Sequence, residues 1–223
     1  MRDASTTTTL RLGHRGLPTR ELENSLASFR AALALGLDGF ELDVQRTADG
    51  ALAVLHDPTL DRTARGPGVL ARLRYDELPL LNNGERVPRL EEVLALPARC
   101  VNIELKEGAA WRAALDAVLA AGALGRVIFS SFDHGAIEAL RAACPEADCG
   151  WLMDPADTFR DDPAELVARA RGARLHLHGA AVLGRAAEWA AVAEHIVLWG
   201  LPTFADAALF GFTAPVLIAD DVG

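Results

Sequence analysis

The chain has 223 residues, is 51% hydrophobic and 24% charged, and carries a formal net charge of −9. That length buries a sizeable core, and the composition excludes a disordered chain. The acidic balance argues against nucleic acid as a partner, because binding a phosphate backbone needs a net basic surface.

The opening residues, MRDASTTTTLRL, hold no apolar run before a cleavage site, so no secretory leader is read and a cytoplasmic location is expected. The first strand is predicted at Leu10–Gly13. In the segment NSLASFRAALALG that follows, Leu26, Phe29 and Leu33 fall on one helical face, Asn24 or Ser25 is the N-cap, and Gly36 ends the helix. A second strand covers Gly39–Val44, and QRTADGALAVLHD reads as a strand returning through an Asp-Gly turn. Residues 57–98 show no clean period and read as a compact insertion, with RLEEVLAL as its one helical stretch.

From there strand and helix alternate. Strands are predicted at Cys100–Leu105, Val127–Ser130, Asp148–Leu152, Arg174–Leu177, Ile196–Leu198 and Pro215–Ala219. Between them lie AAWRAALDAVLAAG, HGAIEALRAAC, DPAELVARAR, GRAAEWAAVA and the short TFADAALFG. About eight alternations argue for a parallel sheet. Closed, the sheet is a (β/α)8 TIM barrel with a small insertion after the second strand, a single domain over 1–223. Left open it would be doubly wound, but no glycine-rich phosphate loop opens the first helix. No stretch of 18 apolar residues appears, so no membrane span is expected. Cys100, Cys144 and Cys149 have no paired zinc spacing and read as reduced thiols.

Barrel active sites lie at the carboxyl ends of the strands, and polar residues gather there. The first strand ends in His14 and Arg15, and the second carries Glu41 and Asp43. The returning strand ends in His56 and Asp57, and the next barrel strand carries Glu104 and Lys106. Residues two apart share a face, so each carboxylate pair or ion pair faces one way. Three carboxylates in one mouth repel, and a hard divalent cation with oxygen ligands would resolve that. Two histidines offer general acid and base near neutral pH, while arginine and lysine neutralise phosphate oxygens. Lys106 is the single lysine beside 21 arginines. On a solvated surface the two are interchangeable; in a crowded mouth a compact ammonium fits where a guanidinium fork clashes.

GHRG, then ENSLASFRAALALGLDGFELDVQRTADGALAVLHDPTLDRT, VPRLEEVL, VNIELK and VIFSSFD, resemble the blocks of the glycerophosphodiester phosphodiesterase family, in order. The resemblance implies a (β/α)8 barrel that hydrolyses glycerophosphodiesters to sn-glycerol 3-phosphate and an alcohol, with one divalent cation, Mg²⁺ or Ca²⁺. It implies Glu41, Asp43 and Glu104 as metal ligands, His14 and His56 as the acid–base pair, and Arg15 and Lys106 on the phosphate. Asn24 belongs to the same motif in a supporting role. Phe132 and Trp199 are expected on the substrate wall. Near the C-terminus the likeness fades: LWGLPT keeps Trp199 but lacks the family's Thr-Val-Asn, and LIADDVG matches its last strand loosely. His176 and His178 share one face of a strand and match no family block, so a polar wall or surface role is expected.

Two other readings stand beside this one. A lysophospholipid phosphodiesterase would need an apolar groove, for which Leu60, Val69, Leu70 and Leu73 are candidates, although they fit a small satellite core equally well. A non-catalytic phosphate-ester binder would keep the pocket without turnover, although it has no need of an acid–base pair.

Overall fold

The computed structural model describes residues 9–223; the opening residues, where no leader is read, lie outside them. Nine strands are present among the described residues: β1 Leu10–Gly13, β2 Gly39–Arg46, β3 Leu52–Val54, β4 Cys100–Leu105, β5 Val127–Ser131, β6 Asp148–Leu152, β7 Arg174–His178, β8 Ile196–Thr203 and β9 Val216–Asp221. Eight are parallel and run β1-β9-β8-β7-β6-β5-β4-β2, and β1 pairs with β2 to close the ring. β3 pairs antiparallel with β2 outside the ring. The TIM barrel expected from the alternation is therefore formed, with the returning strand as its one addition.

Helices α1 Leu26–Ala34, α2 Leu90–Leu94, α3 Trp111–Ala120, α4 His134–Ala143, α5 Pro155–Thr158, α6 Pro163–Ala170, α7 Gly179–Leu183 and α8 Ala186–Trp189 pack outside the strands. Ser25 caps α1, its hydroxyl accepting from the Ser28 N–H, and Phe29 buries against Phe40 with ring centroids 4.4 Å apart. GRAAEWAAVA is not one helix. It breaks after Trp189 into 3₁₀ turns over Ala190–His195, with Val192 non-helical. Trp189 is fully buried, but no residue of Ala190–His195 is, so alanine propensity lacks the packing that sustains a helix. TFADAALFG likewise forms 3₁₀ turns, anchored by Phe204 and Phe210. β8 runs five residues beyond its predicted end, through a register shift between Leu198 and Leu201, and so carries Trp199 within the strand.

The barrel interior holds Leu12, Cys100, Ile128, Val197, Val216 and Ile218 as an apolar plug. Between β3 and β4 the chain builds a separate small core of Leu55, Leu60, Ala64, Leu70, Leu81 and Val87. Leu60 and Leu70 are fully buried there, and Leu73 packs against it. Of the two readings open for Leu60, Val69, Leu70 and Leu73, the satellite core is the one formed by Leu60 and Leu70, with Leu73 packed against it, while Val69 is exposed. No helix of the described residues is long and apolar enough to cross a membrane.

Candidate active site

The turn after β1 sets the first two site residues. A Cβ at Gly13 would stand 1.8 Å from the Gly16 carbonyl oxygen, so the turn requires glycine. Within it Arg15 adopts a left-handed φ of 52°, which aims its backbone N–H at Glu41 Oε2, 2.9 Å away. The Arg15 guanidinium lies 2.9 Å from Glu23 and 3.3 Å from Asp43.

Parallel pairing of β2 with β4 sets Asp43 opposite Glu104, with Glu41 two residues earlier on β2. Carboxylate oxygens of Glu41, Asp43 and Glu104 all lie within 4.8 Å of one another. Asn24, also in the left-handed region, clamps Asp43: its Nδ2 donates to Oδ2 at 2.8 Å and its Oδ1 accepts the Asp43 N–H at 3.3 Å. Lys106 Nζ lies 2.7 Å from Glu104 and 3.5 Å from Asp43 Oδ1, which makes no hydrogen bond. Burial, and then repulsion from Asp43, push the Glu41 carboxyl up to about 8. The same causes raise Glu104 despite Lys106. An oxygen-only cluster with a buried unpaired carboxylate oxygen and insufficient positive charge fits a hard divalent cation.

Each site histidine has a carboxylate at Nδ1. His14 meets Asp220 Oδ1 at 2.7 Å, and His56 meets Asp57 Oδ1 at 2.7 Å. The carboxylates accept, so Nδ1 carries hydrogen in both rings and Nε2 is left for proton transfer. Burial alone would lower the His14 pKa, but the bond to Asp220 and the charge of Glu41 outweigh it and the net shift is upward. Arg62 holds Asp57 at 2.6 Å and Glu23 at 2.6 Å, so one run of ion pairs links His56, Asp57, Arg62, Glu23 and Arg15.

These groups border a cavity of about 240 Å³. His14, Arg15, Glu41, His56, Glu104 and Lys106 all line it, with Phe132, Leu152 and Trp199 as an apolar wall. Phe132 and Trp199 meet edge to face at 6.4 Å. Asp43 lies behind this lining as the buried member of the carboxylate cluster. His176 lines the cavity too, whereas His178 caps α7, accepting from the Ala180 N–H at 3.2 Å, and packs on the edge of Trp199. The sequence reading missed Asp220, Asn102, Ser130, Glu23 and Arg62. Asp220 had a usable signal: the two-residue period from Ile218 turns it inward beside His14.

Residues 14–195 match the model of the glycerophosphoryl diester phosphodiesterase family. The chain is 37% identical over 161 residues to a glycerophosphodiester phosphodiesterase of Caldanaerobacter subterraneus, covering 65% of this chain and 66% of that protein, a little under two thirds of its length. It superposes on a glycerophosphodiester phosphodiesterase from Thermotoga maritima with a TM-score of 0.79 and 26% identity, over 96% of this chain and 95% of that one. An Oleispira antarctica phosphodiesterase, solved with the product sn-glycerol-3-phosphate, shares the fold at a TM-score of 0.79 and 23% identity, over 95% and 92%.

Proposed function

The chain belongs to the glycerophosphoryl diester phosphodiesterase family, and on that footing we propose that it hydrolyses glycerophosphodiesters to sn-glycerol 3-phosphate and an alcohol. The observation that carries the reading is the pair of histidines, each with Nδ1 engaged by a carboxylate, lining one cavity with two cationic side chains and the carboxylate cluster. A plain binder of phosphate esters needs the cations; it has no use for two histidines held in one tautomer.

Glu41, Asp43 and Glu104 would hold one Mg²⁺ or Ca²⁺ ion. When bound, such an ion supplies Lewis-acid charge at the phosphoryl oxygens. Arg15 and Lys106 neutralise the phosphate, the arginine held in place by Glu23 and Asp43. One histidine takes a proton at Nε2 from the nucleophile, either water or the substrate's own 2-hydroxyl by way of a cyclic phosphate that water then opens, and the other delivers one from Nε2 to the leaving alcohol. Asp57 and Asp220 keep each ring oriented and stabilise its protonated form. Phe132, Leu152 and Trp199 shield one side of the cavity from water.

The test is release of glycerol 3-phosphate from glycerophosphocholine and glycerophosphoethanolamine, with and without chelator. Product with either ester that chelator suppresses supports the reading; no product from any glycerophosphodiester overturns it.

A further inference from the structure

Arg62 belongs to the segment between β3 and β4, off the barrel ring and off the lining of the active-site cavity. Its guanidinium nevertheless meets two carboxylates that hold site residues. Nε donates to Asp57 Oδ2 at 2.6 Å, and Nη1 donates to Glu23 Oε2 at 2.6 Å. Nη2 is shared: it donates to Asp57 Oδ1 at 3.0 Å and to Glu23 Oε1 at 2.8 Å. Those two oxygens are the ones the site uses. Asp57 Oδ1 also pairs with His56 Nδ1 at 2.7 Å, and Glu23 Oε1 also accepts from Arg15 Nη1 at 2.9 Å. One nitrogen of Arg62 therefore stands a single hydrogen bond from the oxygen that orients His56 and from the oxygen that orients Arg15.

Stability does not account for this arrangement. The Arg62 side chain is 47% exposed, and ion pairs so close to solvent contribute little. What a planar fork on four carboxylate oxygens supplies is geometry, which a point charge does not reproduce. The two carboxylates come from separate connections, Glu23 from the turn before α1 and Asp57 from the residues after β3. They carry like charge and meet on one nitrogen, so without the guanidinium they would repel and move apart.

We propose that Arg62 is a positioning residue that couples His56 to Arg15, keeping the ring that transfers a proton in register with the fork that holds the phosphate. This rests on the phosphodiesterase reading above, and it makes the segment after β3 a working part of the site.

The test measures two quantities well below each melting temperature. The first is kcat on a glycerophosphodiester, which reports His56. The second is the inhibition constant of sn-glycerol 3-phosphate, which reports the grip of Arg15 on phosphate. Asp57→Asn should lower kcat and leave the inhibition constant within about twofold; Glu23→Gln should do the reverse. Arg62→Gln, which touches neither site residue, should do both, with kcat down about tenfold and the inhibition constant up about fivefold. In an Asp57→Asn background Arg62→Gln should lower kcat no further. Arg62→Lys keeps the charge without the fork and should stay near Arg62→Gln. An Arg62→Gln protein that loses thermal stability alone, or that moves only one of the two quantities, overturns the coupling and leaves a surface staple. Recovery of both quantities by Arg62→Lys overturns it too, because charge would then suffice. In these cases the wild type still turns over and the phosphodiesterase reading stands. A wild type that cleaves no glycerophosphodiester brings down that reading and the coupling with it.

Discussion

Lys106 Nζ stands 2.7 Å from Glu104 Oε1, so the chain's one lysine is paired with a member of the carboxylate cluster. A guanidinium there would need more width than the ammonium uses between Glu104 and Asp43. Lys106→Arg should lose roughly 10²-fold in kcat/KM despite keeping the charge. Steady-state kinetics checks this, and a variant within twofold of wild type would mean that the lysine is interchangeable.

His14→Ala and His56→Ala should each lower kcat by about 10²–10⁴, with the melting temperature nearly unchanged. Asp220→Asn and Asp57→Asn act through those rings and should cost less, about 10–100-fold in kcat, with KM almost constant. A large KM effect from Asp220→Asn would instead point to a substrate contact.

The carboxylate cluster should respond to divalent cations in stability as well as activity. Mg²⁺ or Ca²⁺ should raise the melting temperature, and chelator should reverse it. In chelator, Glu41 has a folded-state pKa of about 8, above its ordinary value. Ionising it therefore disfavours the folded state, and metal-free stability should fall as pH rises from the ordinary carboxylate range through about 8. Glu41→Gln should remove that dependence and weaken cation stabilisation, both visible in thermal melts. Equal pH dependence in the two proteins would show that Glu41 is not the strained group.

Arg62 should matter most above the carboxylate range. Its hydrogen bonds hold Asp57 below its ordinary pKa, and together with Arg15 they outweigh burial to do the same for Glu23. Depressed carboxylates contribute stability above their ordinary pKa and lose it as pH falls through the folded-state values. Arg62→Gln should thus cost at most about 1 kcal/mol at neutral pH, with a difference from wild type that shrinks under acid. Denaturant melts at pH 7 and pH 3 measure this; a gap that widens in acid would contradict it.

The barrel was legible in the sequence because its strands are short apolar runs between amphipathic helices, and nearly every predicted strand falls within two residues of the observed one. The last stretches were harder to read. Ala190–His195 has helical composition but no fully buried residue, and β8 continues past a shift at Leu198 and Leu201 that no period announces. His14, Glu41, Asp43, His56, Glu104 and Lys106 could be picked out because charge at strand ends is not what a core wants. Their partners could not. Asp220 is 206 residues from His14, and Arg62 and Glu23 meet across 39. Such pairs arise from ring closure and from the fold of the insertion; alternation along the last strand turns Asp220 inward but does not name His14 as its partner. His176 was visible as a residue, but its unpaired state is a property of the packing around it.

The pairing of β1 with β9 has a consequence during synthesis. His14 leaves the ribosome among the earliest residues of the ring, and Asp220 comes from the last strand to be made. Until β9 docks between β8 and β1, that histidine has no carboxylate at Nδ1 and the barrel has an open seam. Such late, distant closure is slow. A nascent or half-folded chain therefore carries every other group of the candidate site and still lacks the Asp220 partner of His14, so the site is complete only with the finished ring.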